Sequence, residues 1–288
     1  MFRLVALLLL AGVACVAYGI AIERSWYRLR RYDLAILPPG GPQRLAVLHL
    51  SDLHFVRRDP KKARFLASLP PADVTVVTGD FLAEPAGIET AVAAVRTVRG
   101  SCASWFVLGS NDHFQPRPLN YFAYFRKRRK RPGALRGRPD ELIRGLVSDG
   151  WADLTNVRRL DEVNGLPIEL LGLDDAHLRW HDLRVAPRHA PDRLGMAVMH
   201  SPDSAPESAA LGYDLLVAGH THGGQVRIPG IGALVTNCSM PRRLASGLIQ
   251  MGSAVLHTSP GLGTSKYAPF RFGCRPEATL LELRPRPD

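Results

Sequence analysis

Leu45-Ala46-Val47-Leu48-His49-Leu50 runs directly into Ser51-Asp52-Leu53-His54, and this junction of an apolar run with an acid and an imidazole decides the fold. The pattern recurs. Val74-Thr75-Val76-Val77-Thr78 leads into Gly79-Asp80, and Asp214-Leu215-Leu216-Val217-Ala218 leads into Gly219-His220-Thr221-His222. Short aliphatic runs of this kind read as strands buried on both faces, as in a layered α/β domain. In such domains functional side chains gather at the carboxyl ends of strands, where distant stretches of chain converge.

Working outward, residues 60–69, 87–98 and 140–147 read as helices, the last with Pro139 at its start. Residues 168–173, 196–199 and 253–256 read as further strands, and the alternating stretch 278–283 reads as a strand closing the sheet at an edge. Pro38-Pro39-Gly40-Gly41-Pro42 marks residues 32–44 as a linker or edge strand leading into the domain. No internal repeat interrupts this alternation, which is that of one layered α/β unit.

The 288 residues suffice to bury a sizeable core. Lys and Arg number 37 against 26 acids, a net charge of +11, which suits a polyanionic partner: lipid headgroups, a phosphorylated substrate or nucleic acid. The cysteines, Cys15, Cys102, Cys238 and Cys274, form no C-x-x-C pair, which argues against a zinc knuckle, a dithiol motif or a disulfide framework. They read as small buried apolar residues.

Residues 4–22 are uncharged and rich in Leu, Ala and Val. Their length approaches the ~20 residues that cross a bilayer as a helix. Arg3 precedes them, while Arg24, Arg28, Arg30 and Arg31 follow with Trp26 and Tyr27 as interface anchors. An uncleaved anchor and an export signal compete, and the stretch exceeds the ~7–15 residues of a signal core. The reading adopted is a single-pass anchor at the cell membrane, with the heavier positive flank placing the catalytic domain on the cytoplasmic side. The chain thus divides into an anchor or uncleaved signal (1–24), a linker (25–44) and a catalytic domain (45–288).

Arg126-Lys127-Arg128-Arg129-Lys130-Arg131, with Arg136 and Arg138 beyond and Tyr121, Phe122, Tyr124 and Phe125 before, is a basic low-complexity segment. A solvated insertion is the plain reading. A contact with anionic membrane is the functional one, since such clusters gain about 1 kcal/mol per residue near acidic lipid. No nucleic-acid recognition motif accompanies it.

The clustered residues share one chemistry. Asp80 can bridge two cations through its two oxygens. Asp52 and His54, alternating along extended chain, would face one side, as would His220 and His222. Asn111 offers a carbonyl oxygen and His200 a further imidazole. Mixed imidazole and carboxylate ligands suit manganese, iron or zinc. Two such ions ~3.5–4 Å apart polarise a phosphoryl oxygen and generate a hydroxide nucleophile from water. Asp174 and Asp175 could orient a ligand histidine or simply make a turn. His177, His181 and His189 read as surface residues, and Arg242 and Arg243 as a solvated loop.

Asp52-x-His54, Gly79-Asp80, Asn111, His200 and Gly219-His220-x-His222 resemble the metal motifs of the calcineurin-like metallophosphoesterases. The run from Gly219 to Pro229, Pro260-Gly261-Leu262-Gly263-Thr264-Ser265, Pro269-Phe270-Arg271 and Arg275-Pro276-Glu277 resemble the bacterial membrane-associated YkuE-like branch in particular. The resemblance covers residues 45–284. It implies a four-layer αββα sandwich, here behind one transmembrane helix, that hydrolyses phosphate esters at two divalent ions. By the same resemblance Asp52, His54 and His222 hold one ion, Asn111, His200 and His220 the other, and Asp80 bridges.

The family places a histidine directly after the asparagine, where it acts on the leaving group. This chain reads Asn111-Asp112-His113 instead. A one-residue shift turns a side chain away in extended backbone. His113 or Asp112 could serve as the acid, or the leaving group could need none. The expected function is a membrane-associated phosphodiesterase with a lipid-linked or membrane-proximal substrate, phospholipid among the candidates. The competing expectation is a silent metal-binding membrane protein that binds phospholipid or a protein partner.

Overall fold

The apolar runs become the central strands of two six-stranded sheets. The computed structural model describes residues 2–116, 135–185 and 192–287. In the first sheet the spatial order is β1 (Arg28–Leu37), β14 (Glu277–Pro285), β2 (Leu45–Leu50), β3 (Val74–Thr78), β4 (Ala103–Val107) and β5 (Ala152–Asp153). In the second it is β12 (Gly247–Met251), β13 (Ala254–Thr258), β9 (Leu215–Ala218), β8 (Leu194–Met199), β7 (Leu166–Leu173) and β6 (Val157–Val163). A short ribbon, β10 (Arg227–Ile228) and β11 (Gly232–Ala233), stands apart. In both sheets the middle strands are parallel, β2 through β5 in one and β13, β9, β8 and β7 in the other.

Period-two alternation assigns the strand residues to layers. Leu48, Leu50, Val77 and Phe106 face Leu66, Val95, Leu142 and Leu146 of the helices α2 (Pro60–Ala67), α3 (Ile88–Arg96) and α5 (Pro139–Ser148). Val47, Val74, Val76 and Trp105 meet Ile168, Leu170, Val198 and Val217 between the sheets. Leu171, Ala197 and Leu216 pack under α6 (Ala205–Ala210) and Tyr213. The result is the αββα sandwich. Each buried aliphatic side chain contributes roughly 1.5–3 kcal/mol to it.

Three expectations need correction. The last strand, β14, is not the edge: β1 runs parallel outside it, leaving β14 buried along most of its length. Residues 25–44 are correspondingly only in part a connection, because Arg28–Leu37 is that edge strand. Arg28 pairs with Glu277 at 2.7 Å and Arg31 with Glu282, which fastens the edge, while Arg44 holds Glu282 from the β2 side. The cysteines also differ from the sequence reading, since Cys15 and Cys102 are exposed and Cys274 alone is fully buried.

Helix α1 (Phe2–Ala21) is long and apolar enough to cross a membrane, with only 6% of its apolar window buried. Its far end docks on the domain. Arg271 N donates to Gly19 O at 3.3 Å, and the Glu23 carboxylate accepts from the amides of Gly273 and Cys274. The basic run Arg126–Arg131 and its neighbouring aromatics lie outside the described residues, as does His189.

A buried polar contact joins the sheets where His49 Nδ1 lies 2.7 Å from His257 Nδ1, both rings fully buried. Burial holds both neutral, pushing His49 well below the ordinary imidazole value and His257 down to about 3. Unfolded, both titrate near about 6.5. The unfolded chain therefore binds more protons below that pH, so the stability these residues permit at neutral pH is lost as pH falls through the window from about 6.5 toward 3. Denaturant midpoints should fall between about pH 7.5 and 5.5, by about 1 kcal/mol per histidine. A His49→Leu/His257→Leu double variant should show a shallower dependence, and an unchanged slope would contradict this account.

Candidate metal centre

The carboxyl ends of parallel strands from both sheets meet at one place. Asp52 and His54 follow β2, Asp80 follows β3, Asn111 follows β4, His200 follows β8, and His220 and His222 follow β9. The backbone there is not extended, contrary to the sequence reading. Asp52, His54, Asp80, His220 and His222 all have positive φ, from 45° to 67°. The left-handed region disfavours a side chain that carries a Cβ, and residues persist there only when surrounding contacts over-determine them. Concentration of this strain on five prospective ligands marks the place as functional.

One group comprises Asp52, His54, Asp80 and His222, each offering a ligand atom within 4.8 Å of the others. His54 Nε2 and His222 Nε2 lie 3.2 Å apart, and Asp52 Oδ1 lies 3.5 Å from His222 Nε2. That Asp52 oxygen is buried and without a hydrogen-bond partner. Its other oxygen accepts from Ser51 Oγ and from the His220 amide. Burial pushes His54 below its ordinary value and His222 to about 3, despite the opposing pull of the neighbouring carboxylates. Neutral imidazoles and a bare carboxylate oxygen crowded this closely fit a cation.

The second group is Asp175, His200 and His220, again within 4.8 Å. His200 Nε2 faces His220 Nδ1 at 3.2 Å, while their remote nitrogens meet backbone carbonyls: His200 Nδ1 with Thr78 O at 2.7 Å and His220 Nε2 with Asn237 O at 3.1 Å. Burial opposes charge on His200, yet Asp80, Asp175 and Asp52 outweigh it and raise its pKa to about 10. The place stabilises positive charge. Asp80 stands between the groups, Oδ2 lying 3.6 Å from His54 Nε2 and 3.6 Å from His200 Nε2. Burial would raise its pKa, but the facing histidines and two hydrogen bonds from Asn111 hold it below the carboxylate range. The donor set fits metal ions on both sides of Asp80.

Asn111, Asp112 and His113 sit on the single helical turn α4 (Ser110–His113), so neighbours point in different directions. Asn111 turns its amide to Asp80, with Nδ2 2.5 Å from Oδ2. Asp112 is buried, and both its oxygens are committed to the amides of Leu82 and Gly109. Burial, then repulsion from Asp80, raises its pKa to about 7. His113 packs against Trp180, ring centroids 4.8 Å apart, and its Nε2 lies 3.0 Å from Asp174 Oδ1. Burial works against its charged form, but the Asp174 contact prevails and raises the pKa.

Other side chains hold the ligand loops. Buried Lys62 donates to the carbonyls of Leu53 and His54 and pairs with Asp59 at 2.7 Å. Fully buried Arg271 donates to the carbonyls of Pro260, Gly261, Gly263 and His222. A Cβ on Gly219 would collide with Ser51 Oγ and Asp52 Oδ2, so only glycine lets these two loops approach. Neither Lys62 nor Arg271 bears a sequence signal of burial beyond Arg271's place in a quoted motif. Asp174 and Asp175 diverge, one to His113 and one to the second group. His177, expected at the surface, is half-buried with its ring 4.9 Å from that of His220. Arg242 and Arg243 are exposed, as a solvated loop requires.

The calcineurin-like phosphoesterase family model matches residues 45–224. The chain is 25% identical over 258 residues to the uncharacterized metallophosphoesterase YkuE of Bacillus subtilis, covering 86% of this chain and 82% of that protein. It is 28% identical over 269 residues to phosphodiesterase YaeI of Escherichia coli, covering 91% and 90%. It is 29% identical over 269 residues to a bovine transmembrane protein with metallophosphoesterase domain, covering 87% of this chain and 55% of the other. The chain belongs to the calcineurin-like phosphoesterase family and is a phosphoric ester hydrolase. Removal of the carboxylate between the groups, Asp80→Ala, should weaken metal binding tenfold or more by elemental analysis and titration calorimetry. Equal metal content in parent and variant would contradict the centre.

Proposed function

We propose that this calcineurin-like phosphoesterase is a membrane-associated phosphodiesterase whose substrate is a lipid-linked or membrane-proximal phosphate ester, with the catalytic domain on the cytoplasmic side. The observation that carries the reading is a cavity of about 520 Å³ lined by Ile20 and Ala21 of helix α1, by Arg24, Arg58 and Lys61, and by His54 itself. One wall is the end of the apolar helix, another is basic, and a third is a prospective ligand. A phosphate headgroup whose tails stay beside the helix fits that combination. YaeI, named a phosphodiesterase, and the bovine relative, named a transmembrane protein, agree with it.

Asp52, His54 and His222 would hold one divalent ion, Asn111, His200 and His220 the other, with Asp80 serving both; manganese, iron and zinc suit these donors. Bound there, the ions would polarise a phosphoryl oxygen and lower the pKa of water. The chain's own residues do the rest. Asp112 caps the α4 turn with one oxygen and accepts from the Leu82 amide with the other, so it has none to spare for a leaving group. His113, held by Asp174 and Trp180 and biased toward its protonated form, would be the proton donor in this reading. The exchange of Asp and His in Asn111-Asp112-His113 thus separates a structural acid from a chemical histidine. The arginines after α1 favour the cytoplasmic side.

Purified full-length protein reconstituted with manganese should hydrolyse bis-p-nitrophenyl phosphate, and Asp80→Ala should not. Failure of every metal tested to support turnover, with Asp80→Ala indistinguishable from the parent, would sink the enzymatic reading. His113→Ala should lower kcat about a hundredfold on an alkyl phosphodiester, whose leaving group needs a proton, and far less on the nitrophenyl ester. Equal losses on both would assign His113 a different role. Arg58→Glu/Lys61→Glu should raise KM for a phospholipid in vesicles and leave the soluble diester unchanged; a uniform change would remove the case for a headgroup pocket.

A further inference from the structure

Asp175 follows β7 and is fully buried. One carboxylate oxygen, Oδ1, accepts from the His177 amide at 2.7 Å, the bond that an aspartate makes at the start of a turn. The other oxygen, Oδ2, is buried and has no hydrogen-bond partner. A turn accounts for the first oxygen and not for the second. An anionic oxygen removed from water with no donor is costly unless a positive charge compensates it.

The surroundings say where that charge belongs. Asp175 offers a ligand atom within 4.8 Å of those of His200 and His220. It is not needed to orient either ring, because Thr78 O and Asn237 O already take the remote nitrogens. The nitrogens left over, His200 Nε2 and His220 Nδ1, face each other at 3.2 Å. We propose that Asp175 is a further ligand of the ion held by His200 and His220, so that this half of the centre carries a carboxylate of its own beside Asp80. The proposal rests on the two-ion reading of the centre and extends it.

The added carboxylate has a chemical consequence. With Asp80, Asn111 and Asp175 supplying oxygen and two imidazoles supplying nitrogen, the second position is richer in hard donors than the first, where Asp52 and Asp80 stand with two histidines. Oxygen-rich sets favour manganese over zinc relative to imidazole-rich ones. The second position should therefore be the more manganese-selective, and loss of Asp175 should shift it toward zinc.

The test uses full-length protein in detergent: parent, Asp175→Asn, Asp175→Ala and Asp80→Ala, titrated with manganese by calorimetry and by the spin-coupled manganese resonance. Asp175→Asn preserves the turn acceptor, so its metal-free melting temperature should equal the parent's. Its second manganese should bind at least tenfold more weakly, with the paired resonance giving way to that of a single ion, and zinc should compete better than in the parent. Two manganese ions bound to both Asp175 variants with parental affinity, while Asp80→Ala loses them, would overturn the proposal and leave the two-ion reading standing. Fewer than two ions in the parent would overturn both.

Discussion

The carboxylate of Asp80 lies 3.6 Å from an imidazole nitrogen on either side, and the rest of the site is arranged to keep it there. Such crowding of buried donors is unfavourable unless cations occupy the place, so the fold must hold the donors against their own repulsion. The backbone bears part of that burden. Five prospective ligand positions adopt left-handed φ, each at a cost on the order of 1 kcal/mol or more. That strain is small beside the burial of three apolar layers, which is why a two-sheet core can carry it.

The supports are specific. Lys62 grips the carbonyls of the Leu53–His54 turn from α2, and Arg271 grips the loops carrying His222 and Gly263. Asp112 caps its own turn at the Gly109 amide and ties it to Leu82 on the Asp80 loop. Arg271 also joins the centre to the apolar helix, since its amide reaches Gly19 while its guanidinium reaches the ligand loops. The neighbouring Cys274 donates its amide to the Glu23 carboxylate and its thiol to His222 O. A rigid path of hydrogen bonds therefore runs from the membrane-compatible helix to a prospective ligand, and the basic cavity lies beside that path.

Much of the fold was legible because it depends on local pattern. The runs at 45–50 and 74–78 became strands with those bounds, and the proline-started helix at 139 formed, because apolar periodicity and capping act within a few residues. Strand β6 presents no apolar run, because the charged residues Arg158, Arg159, Asp161 and Glu162 fall on both of its faces. Residues 32–44 read equally as linker or edge strand, because which strand is the edge depends on what pairs with it, here through Arg28 with Glu277 and Arg31 with Glu282. No local pattern encodes that pairing.

By itself, the sequence determined the chemistry: acids and imidazoles placed after buried strands, in an order that the calcineurin-like family shares, at the ends of runs too apolar to be anything but core. Those are properties of residue type and spacing. Tertiary structure alone decided the geometry and the division of labour. The same-side placement of Asp52 and His54 arises from left-handed backbone rather than strand alternation, since loops from both sheets compete for one small volume. In Asn111-Asp112-His113 and in Asp174-Asp175, adjacent residues of similar character take different parts, because a helical turn or a strand end sends each toward a different neighbour. Which neighbour is there depends on chain dozens of residues away.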